Sequence, residues 1–431
     1  MESSPHLAAS QPSLNPNGAR AGFRQALYAL TFSYPALWAA GGGGLYWIFL
    51  AVPAAWYLLR TSASGLVWGI LALPLVLFLS SPIGLASTSA GPGRLVGLAA
   101  NAAAWISVAA VIHLVETGDE ARSLARAVTV VGLGQGFITL LAMLAYPAQL
   151  PIPVTRSFAP RVPGGIGAFM ENFLYFPSWL DGEQFRSAGI MAQPTWAGAV
   201  ATLSLLSALY LLRADRGGWR LLALASIPLL VLSINLSLSR AALLGLAAAL
   251  TTGLLVVIGR RSAVLFWCLI TLATVAGLIA LATNAPALLQ WVASINSQRE
   301  GSFDARSQIY RETWRLIGAH PFPLLGYGVK PQDDGLVAPV ATHSAYLGML
   351  FRGGVLGLII LCAIYLIILR RCVAAGSLWG TSACLFIAVW SLLEDVDSGH
   401  FVPLGLALAV AWARAATQQR APDGIDSHAR P

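Results

Sequence analysis

The sequence predicts an all-α integral membrane protein with about twelve transmembrane helices, and three observations carry that prediction. Hydrophobic residues fill 57% of the 431 positions and charged residues only 10%, against roughly 25% charged in soluble domains. Apolar runs close to the ~20 residues that a helix needs to cross a bilayer core recur along the chain. The net charge of +8 would suggest a nucleic-acid partner in a soluble protein. Here the retention of Lys and Arg on the cytoplasmic side of membrane proteins accounts for most of it, and no nucleic acid is expected.

The spans are read at about 26–40, 45–59, 65–80, 95–115, 124–147, 196–213, 220–237, 241–259, 263–283, 343–370, 378–394 and 401–416. The first two are short and separated only by Gly41 to Gly44. Residues 1–24, polar and rich in Pro, Ser and Asn, lack the basic start and small-residue cleavage site of a signal peptide and read as a disordered cytoplasmic tail. Residues 25–147 then hold helices one to five, 148–195 a first outer loop, 196–283 helices six to nine, 284–342 a second outer loop, 343–416 helices ten to twelve, and 417–431 a cytoplasmic tail. No internal repeat of 20–50 residues and no heptad pattern is present. The four cysteines lie in or beside apolar spans, so neither disulfides nor a cysteine metal site is expected.

Orientation follows from the basic residues. With the N-terminus inside, fifteen of the twenty-six Lys and Arg fall on the cytoplasmic side and ten outside, with Arg352 inside a span. The short outer connections hold only Arg94 and Arg240, and short loops are the ones that set orientation. Both termini are therefore placed in the cytoplasm and both long loops on the outer face. The first loop carries Pro151, Pro153, Pro160 and Pro163, then Phe173, Tyr175, Phe176 and Trp179, an aromatic group suited to the membrane interface. The second contains a polar helical piece, Ser297 to Gly318, followed by His320-Pro321 and Gly326-Tyr327-Gly328.

Polar chemistry converges on that outer face. Arg186 precedes span six, Ser239-Arg240 occupies the tight turn between spans seven and eight, Arg306 and Arg311 lie in the second loop, and His343 opens span ten. Guanidinium groups match phosphate oxygens two by two and stay charged at any working pH. Several of them at a membrane boundary suit a lipid-linked diphosphate, with arginine instead of a metal ion neutralising its charge. Each residue also has a plainer reading. Arg240 is otherwise an interface anchor, Arg306, Arg311 and Arg315 the solvated face of a helix, His343 a helix cap and His320 a turn residue. Arg352, about 13 Å below His343 along a helix, divides evenly between an ion pair and a substrate contact. Glu394, Asp395 and Asp397 are its candidate partners, or those of the arginines above it.

These pieces, taken in order, resemble the O-antigen ligase and polymerase superfamily of bacterial envelope glycan enzymes. The resemblance rests on Ser237-Leu238-Ser239-Arg240-Ala241, Arg306 with Trp314, His320-Pro321, Gly326-Tyr327-Gly328, and His343-Ser344-Ala345-Tyr346-Leu347 leading to Gly354 and Gly357. It covers about 235–360, with an echo at Arg186–Gly189 and Pro194. It implies a GT-C-type helical fold and an inverting, metal-independent glycosyltransferase without a cofactor. The donor it implies is a glycan on undecaprenyl diphosphate. The acceptor is lipid A–core for a ligase or a second lipid-linked glycan for a polymerase, and the ligase is slightly favoured. The place is the outer leaflet of the bacterial inner membrane, facing the periplasm. By position, Arg240 and Arg306 would hold the diphosphate and His343 would act at the acceptor hydroxyl, as base or orienting group. Arg186, Ser239, Arg311, Tyr346 and Arg352 are the further substrate contacts. Two departures stand out: Ser344 follows the histidine where the family usually has Asn, and Arg352 stands where it often has an acid. The competing class is a polysaccharide transporter or flippase, which would call for broken helices and ionisable residues near the midplane.

Overall fold

The computed structural model describes residues 16–146, 185–191, 193–262, 300–320, 322–332 and 335–420, with scattered positions between 264 and 275. Its helices, in chain order, are α1 (Pro16–Phe32), α2 (Tyr34–Ala39), α3 (Tyr46–Leu59), α4 (Gly65–Ser87), α5 (Arg94–Leu114), α6 (Gly118–Ala145), α7 (Pro194–Ala214), α8 (Gly218–Ser237), α9 (Arg240–Arg261), α10 (Glu300–Ala319), α11 (Ala345–Ala375), α12 (Leu378–Trp390) and α13 (Leu404–Gln418). Six of these, α4 to α8 and α11, are long and apolar enough to cross a membrane. α3, α9 and α12 contribute shorter apolar stretches. The span expected at 263–283, the aromatic group of the first loop and the end of the C-terminal tail lie wholly or mostly outside the described residues.

The spans bury one stripe and leave another apolar and exposed, as helices solvated by lipid do. In α4, Val67, Ile70, Leu73 and Leu77 are buried while Trp68, Leu75 and Leu79 are exposed. Backbone groups in such helices are satisfied within the segment, which permits an apolar outer surface.

The first helix corrects the expected tail. α1 begins at Pro16, ten residues before the predicted span and inside the segment read as disordered. Arg20, which made the stretch look polar, pairs with Glu116 at 2.7 Å and Glu120 at 3.1 Å, and Phe23 and Leu27 are buried on the same face. Glu120 itself closes a capping box with Thr117 at the start of α6. The N-terminal helix is thus fastened to the α5–α6 turn. At this end of the bundle Arg126 also makes a two-pronged bond to Asp215.

Two packing arrangements position the opposite end. α9 and α12 run antiparallel. Gly245 abuts Phe386, Ser382 Oγ donates to the Ala249 carbonyl at 3.0 Å, and Gly253 abuts Ser382 and Leu378. This register brings Arg240, the first residue of α9, level with the end of α12 and the 391–395 turn. The second arrangement is a break in α11 at Gly354, whose φ of 65° and ψ of −163° are not helical. The segment 323–328 fills the break. Val355 and Leu356 donate to the Pro323 and Leu324 carbonyls, while the Tyr327 and Gly328 amides donate to the Phe351 and Arg352 carbonyls. Tyr327 stacks on Phe351, ring centres 4.7 Å apart.

Candidate active site

The loop before α11 is built around two strained residues. Ala341 and His343 have φ of 61° and 66°, a left-handed conformation that costs a non-glycine residue on the order of 1–3 kcal/mol and persists only where its surroundings over-determine it. Here α10 supplies the constraint. Ile309 and Thr313 are buried on one face of this otherwise polar helix. Thr313 Oγ1 accepts the Ala341 amide at 2.9 Å, and Tyr310 Oη donates to the His343 carbonyl at 2.7 Å. Ser344 then caps α11 by accepting the Leu347 amide. The Ala345 amide is shared between the Ser391 and Glu394 carbonyls at 2.9 and 3.0 Å. His343 is therefore fixed from α10 on one side and from the α12 terminus on the other.

Glu394 joins the two leading sequence candidates. Its carboxylate is buried, with Oε1 2.7 Å from an Arg306 guanidinium nitrogen and Oε2 3.5 Å from His343 Nδ1. Arg306 sits one turn before Tyr310, so the same face of α10 that fixes the His343 backbone also delivers the cation. Burial alone would raise the Glu394 carboxyl, but the Arg306 charge and the His343 contact outweigh it and hold the group below its ordinary value. Asp395 makes a second pair with Lys330 at 2.7 Å. Burial would raise this carboxyl too, and the charges of Lys330 and Arg352 hold it low. Arg352 is itself buried, with Nε donating to the Gly348 carbonyl at 3.3 Å. Two consecutive acids thus face two sets of cations.

The turn carrying both acids is held by a histidine that no sequence pattern singled out. His400 is buried between Trp196 and Trp390, each ring centre 5.1 Å away. Nδ1 accepts the Val402 amide at 3.2 Å, which leaves Nε2 to donate to the Asp395 carbonyl at 2.9 Å. Burial lowers the His400 pKa, favouring this neutral form.

The remaining sequence candidates fall into separate places. Arg186 and Arg240 meet around one turn: Arg186 Nε donates to the Ser237 carbonyl at 3.2 Å, and Ser239 caps α9 by accepting the Ala242 amide. Leu238 in that turn has φ of 48°. Ser239 is buried at 1% exposure, and its hydroxyl caps the helix. Arg311 does not join the cluster. Five residues past Arg306 it lies about 140° around the helix, where it lines a shallow cavity of about 430 Å³ with Gln308, Glu312 and Arg315. Tyr346 also turns away, its hydroxyl donating to the Ala388 carbonyl of α12. His320 behaves as the turn residue expected, accepting the Phe322 amide at 2.9 Å. Among the described residues no three His, Cys, Asp or Glu side chains gather as for a metal ion.

Fold and site together define a multi-pass, all-helical membrane protein whose arginine, imidazole and carboxylate groups gather at one end. Residues 225–362 match the family model described as O-antigen ligase, a match that supports the O-antigen ligase superfamily. The matched segment includes Arg240, Arg306, Lys330, His343 and Arg352 and stops short of Glu394, Asp395 and His400. No curated protein matches the chain.

Proposed function

We propose that this protein is a membrane glycosyltransferase of the ligase type. It moves a glycan from undecaprenyl diphosphate to an acceptor hydroxyl, lipid A–core or a similar glycan, at the periplasmic side of the bacterial inner membrane. The observation that carries the reading is the Arg306–Glu394–His343 array. With Nδ1 turned to Glu394, His343 keeps Nε2 for the acceptor. The buried carboxylate orients the ring and stabilises the imidazolium that forms, the logic of a base backed by an acid. In a single displacement the acceptor oxygen attacks the anomeric carbon, its proton passes to His343, and the bond to the diphosphate oxygen breaks with inversion. Arg240, on the same end of the bundle, and Arg306 receive the charge that develops on the leaving diphosphate. Arg186 supports Arg240 through their shared turn. In this reading the chain has about twelve spans with both termini cytoplasmic, and α10 faces the donor's leaflet.

One observation favours a transporter, the second reading: α11 is interrupted at Gly354 beside the buried Arg352, as helices that line substrate paths often are. The interruption is, however, stapled by four backbone hydrogen bonds to 323–328, and the other charges collect at the helix ends.

A reconstituted transfer assay in EDTA separates the readings. Undecaprenyl-diphosphate glycan serves as donor, with lipid A–core or a second lipid-linked glycan as acceptor. Transfer to lipid A–core is expected to persist in EDTA and to fall by roughly 10²–10³-fold in Arg306→Ala and His343→Ala, the scale of losing a transition-state charge partner or base. Laddering on the lipid-linked glycan would make the protein a polymerase. No transfer to either acceptor, with both variants still complementing in cells, would overturn the enzyme reading.

A further inference from the structure

The end of the bundle away from His343 contains a larger cavity, of about 550 Å³, between the last turns of α7 and α13 and the α11–α12 turn. Its wall combines three features. Arg213 and Arg420 supply two cations, both on exposed stretches, and among the described residues the wall has no carboxylate to answer them. Arg420 makes one long bond, 3.4 Å, to the Gly376 carbonyl; Arg213 has no partner among the described residues. The N-terminus of the 13-residue α12 opens into the same wall through Ser377, Leu378 and Trp379. Ser377 Oγ takes the Gly380 amide, and the Leu378 and Trp379 amides have no acceptor among the described residues. Finally, the half-buried Trp379 lines the cavity beside Tyr210 and Trp412, which are themselves buried and packed with ring centres 5.2 Å apart.

Two guanidinium groups, a helix N-terminus with free amides and a wall without carboxylates among the described residues suit an anion, because the helix dipole and the amide donors favour negative charge where the cations already concentrate it. Aromatic walls at a membrane interface suit a molecule with both a polar head and a hydrocarbon body. We propose that this cavity binds a phosphate-bearing anion, the headgroup of an anionic phospholipid, at a site independent of the His343 cluster. Arg213 and Arg420 would hold the phosphate oxygens and the Trp379 ring the glycerol and first acyl carbons.

The test uses the full chain purified in a neutral detergent, with phosphatidylglycerol or phosphatidylcholine added and retained lipid counted by native mass spectrometry. The wild type is expected to retain phosphatidylglycerol at least ~10-fold better than phosphatidylcholine, a preference of about 1.4 kcal/mol. Arg213→Gln/Arg420→Gln should erase that preference, and Arg213→Lys/Arg420→Lys should restore much of it. Thermal unfolding without added lipid should be unchanged in both, since neither side chain is buried. Displacement of bound phosphatidylglycerol by millimolar inorganic phosphate would assign the site to the phosphate anion itself, and resistance to it would assign it to the lipid. Equal retention of the two lipids by the wild type, or undiminished phosphatidylglycerol on the glutamine variant, would overturn the proposal. Glycan transfer by the glutamine variant should match the wild type, so loss of this site and loss of the transferase reading are separately visible.

Discussion

Glu394 decides how the candidate site is charged. A buried carboxylate that loses its paired guanidinium is left poorly compensated, which typically costs 3–5 kcal/mol in a fully buried pair. Arg306 is 29% exposed, so solvent reduces that figure here. Arg306→Ala is expected to lower stability by on the order of 1–3 kcal/mol, and adding Glu394→Gln in the same chain should recover part of the loss, because a neutral amide no longer needs the cation. Thermal unfolding in detergent of the two single variants and the double checks this, and strictly additive losses would show the pair to be uncoupled. The pH dependence has a defined sign. Because the folded carboxyl sits below its ordinary value of 4.5, its contribution is fully present above that pH and is lost as pH falls through the lower folded value. The acid limb of the stability profile should therefore be shallower in Glu394→Gln.

At the scale of the element, the break in α11 is the feature on which Arg352 depends. Gly354 has a conformation that side-chain-bearing residues avoid, and a Cβ there would lie 2.5 Å from the Leu324 carbonyl oxygen. Gly326 faces the same junction from the other strand of chain, where a Cβ would meet the Phe351 carbonyl oxygen at 2.3 Å. Glycine at both positions lets two backbones approach closely enough to exchange the hydrogen bonds that the helix gives up. Gly354→Ala should accordingly cost about 1–3 kcal/mol, whereas Gly65→Ala at the start of α4, where nothing lies within 4 Å, should be neutral or slightly stabilising. Comparable unfolding temperatures for the two variants would remove the junction from the account. Gly326-Tyr327-Gly328 and Gly354 both stood out in the sequence, but not that they meet each other, since backbone pairing across some 25 residues leaves no side-chain signature. Spacing did not show that Arg311 shares a loop with Arg306 but not a face. Arg20 read as part of a solvated tail because Glu116 and Glu120, which pair with it, lie nearly a hundred residues away. The acids at 394 and 395 were visible as candidate partners. Their division between Arg306 and Lys330 depends on the turn after Trp390, which points consecutive side chains apart.

Over the whole molecule, chemistry separates by end. The His343 cluster, the Arg186–Arg240 turn and the 323–332 segment lie at one end of the bundle. The Arg20–Glu116, Arg126–Asp215 and Arg414 contacts lie at the other, where Arg414 donates to the Ile112 and Val115 carbonyls. The short connections at this second end are the richer in arginine, the asymmetry that sets orientation in membrane proteins. The reaction proposed for the first end requires it to face the periplasm, so orientation and function stand or fall together. Labelling can decide it in a chain whose four native cysteines are replaced by alanine, with single cysteines returned at exposed positions. A membrane-impermeant maleimide applied to spheroplasts is expected to label Gly91→Cys and Asp304→Cys at the first end. Gly218→Cys and Thr417→Cys at the second should label only after the membrane is opened. The reverse pattern would place His343, Arg306 and Glu394 in the cytoplasm, away from a donor presented on the outer leaflet. The transferase reading would then fail even though every distance within the cluster stayed as it is.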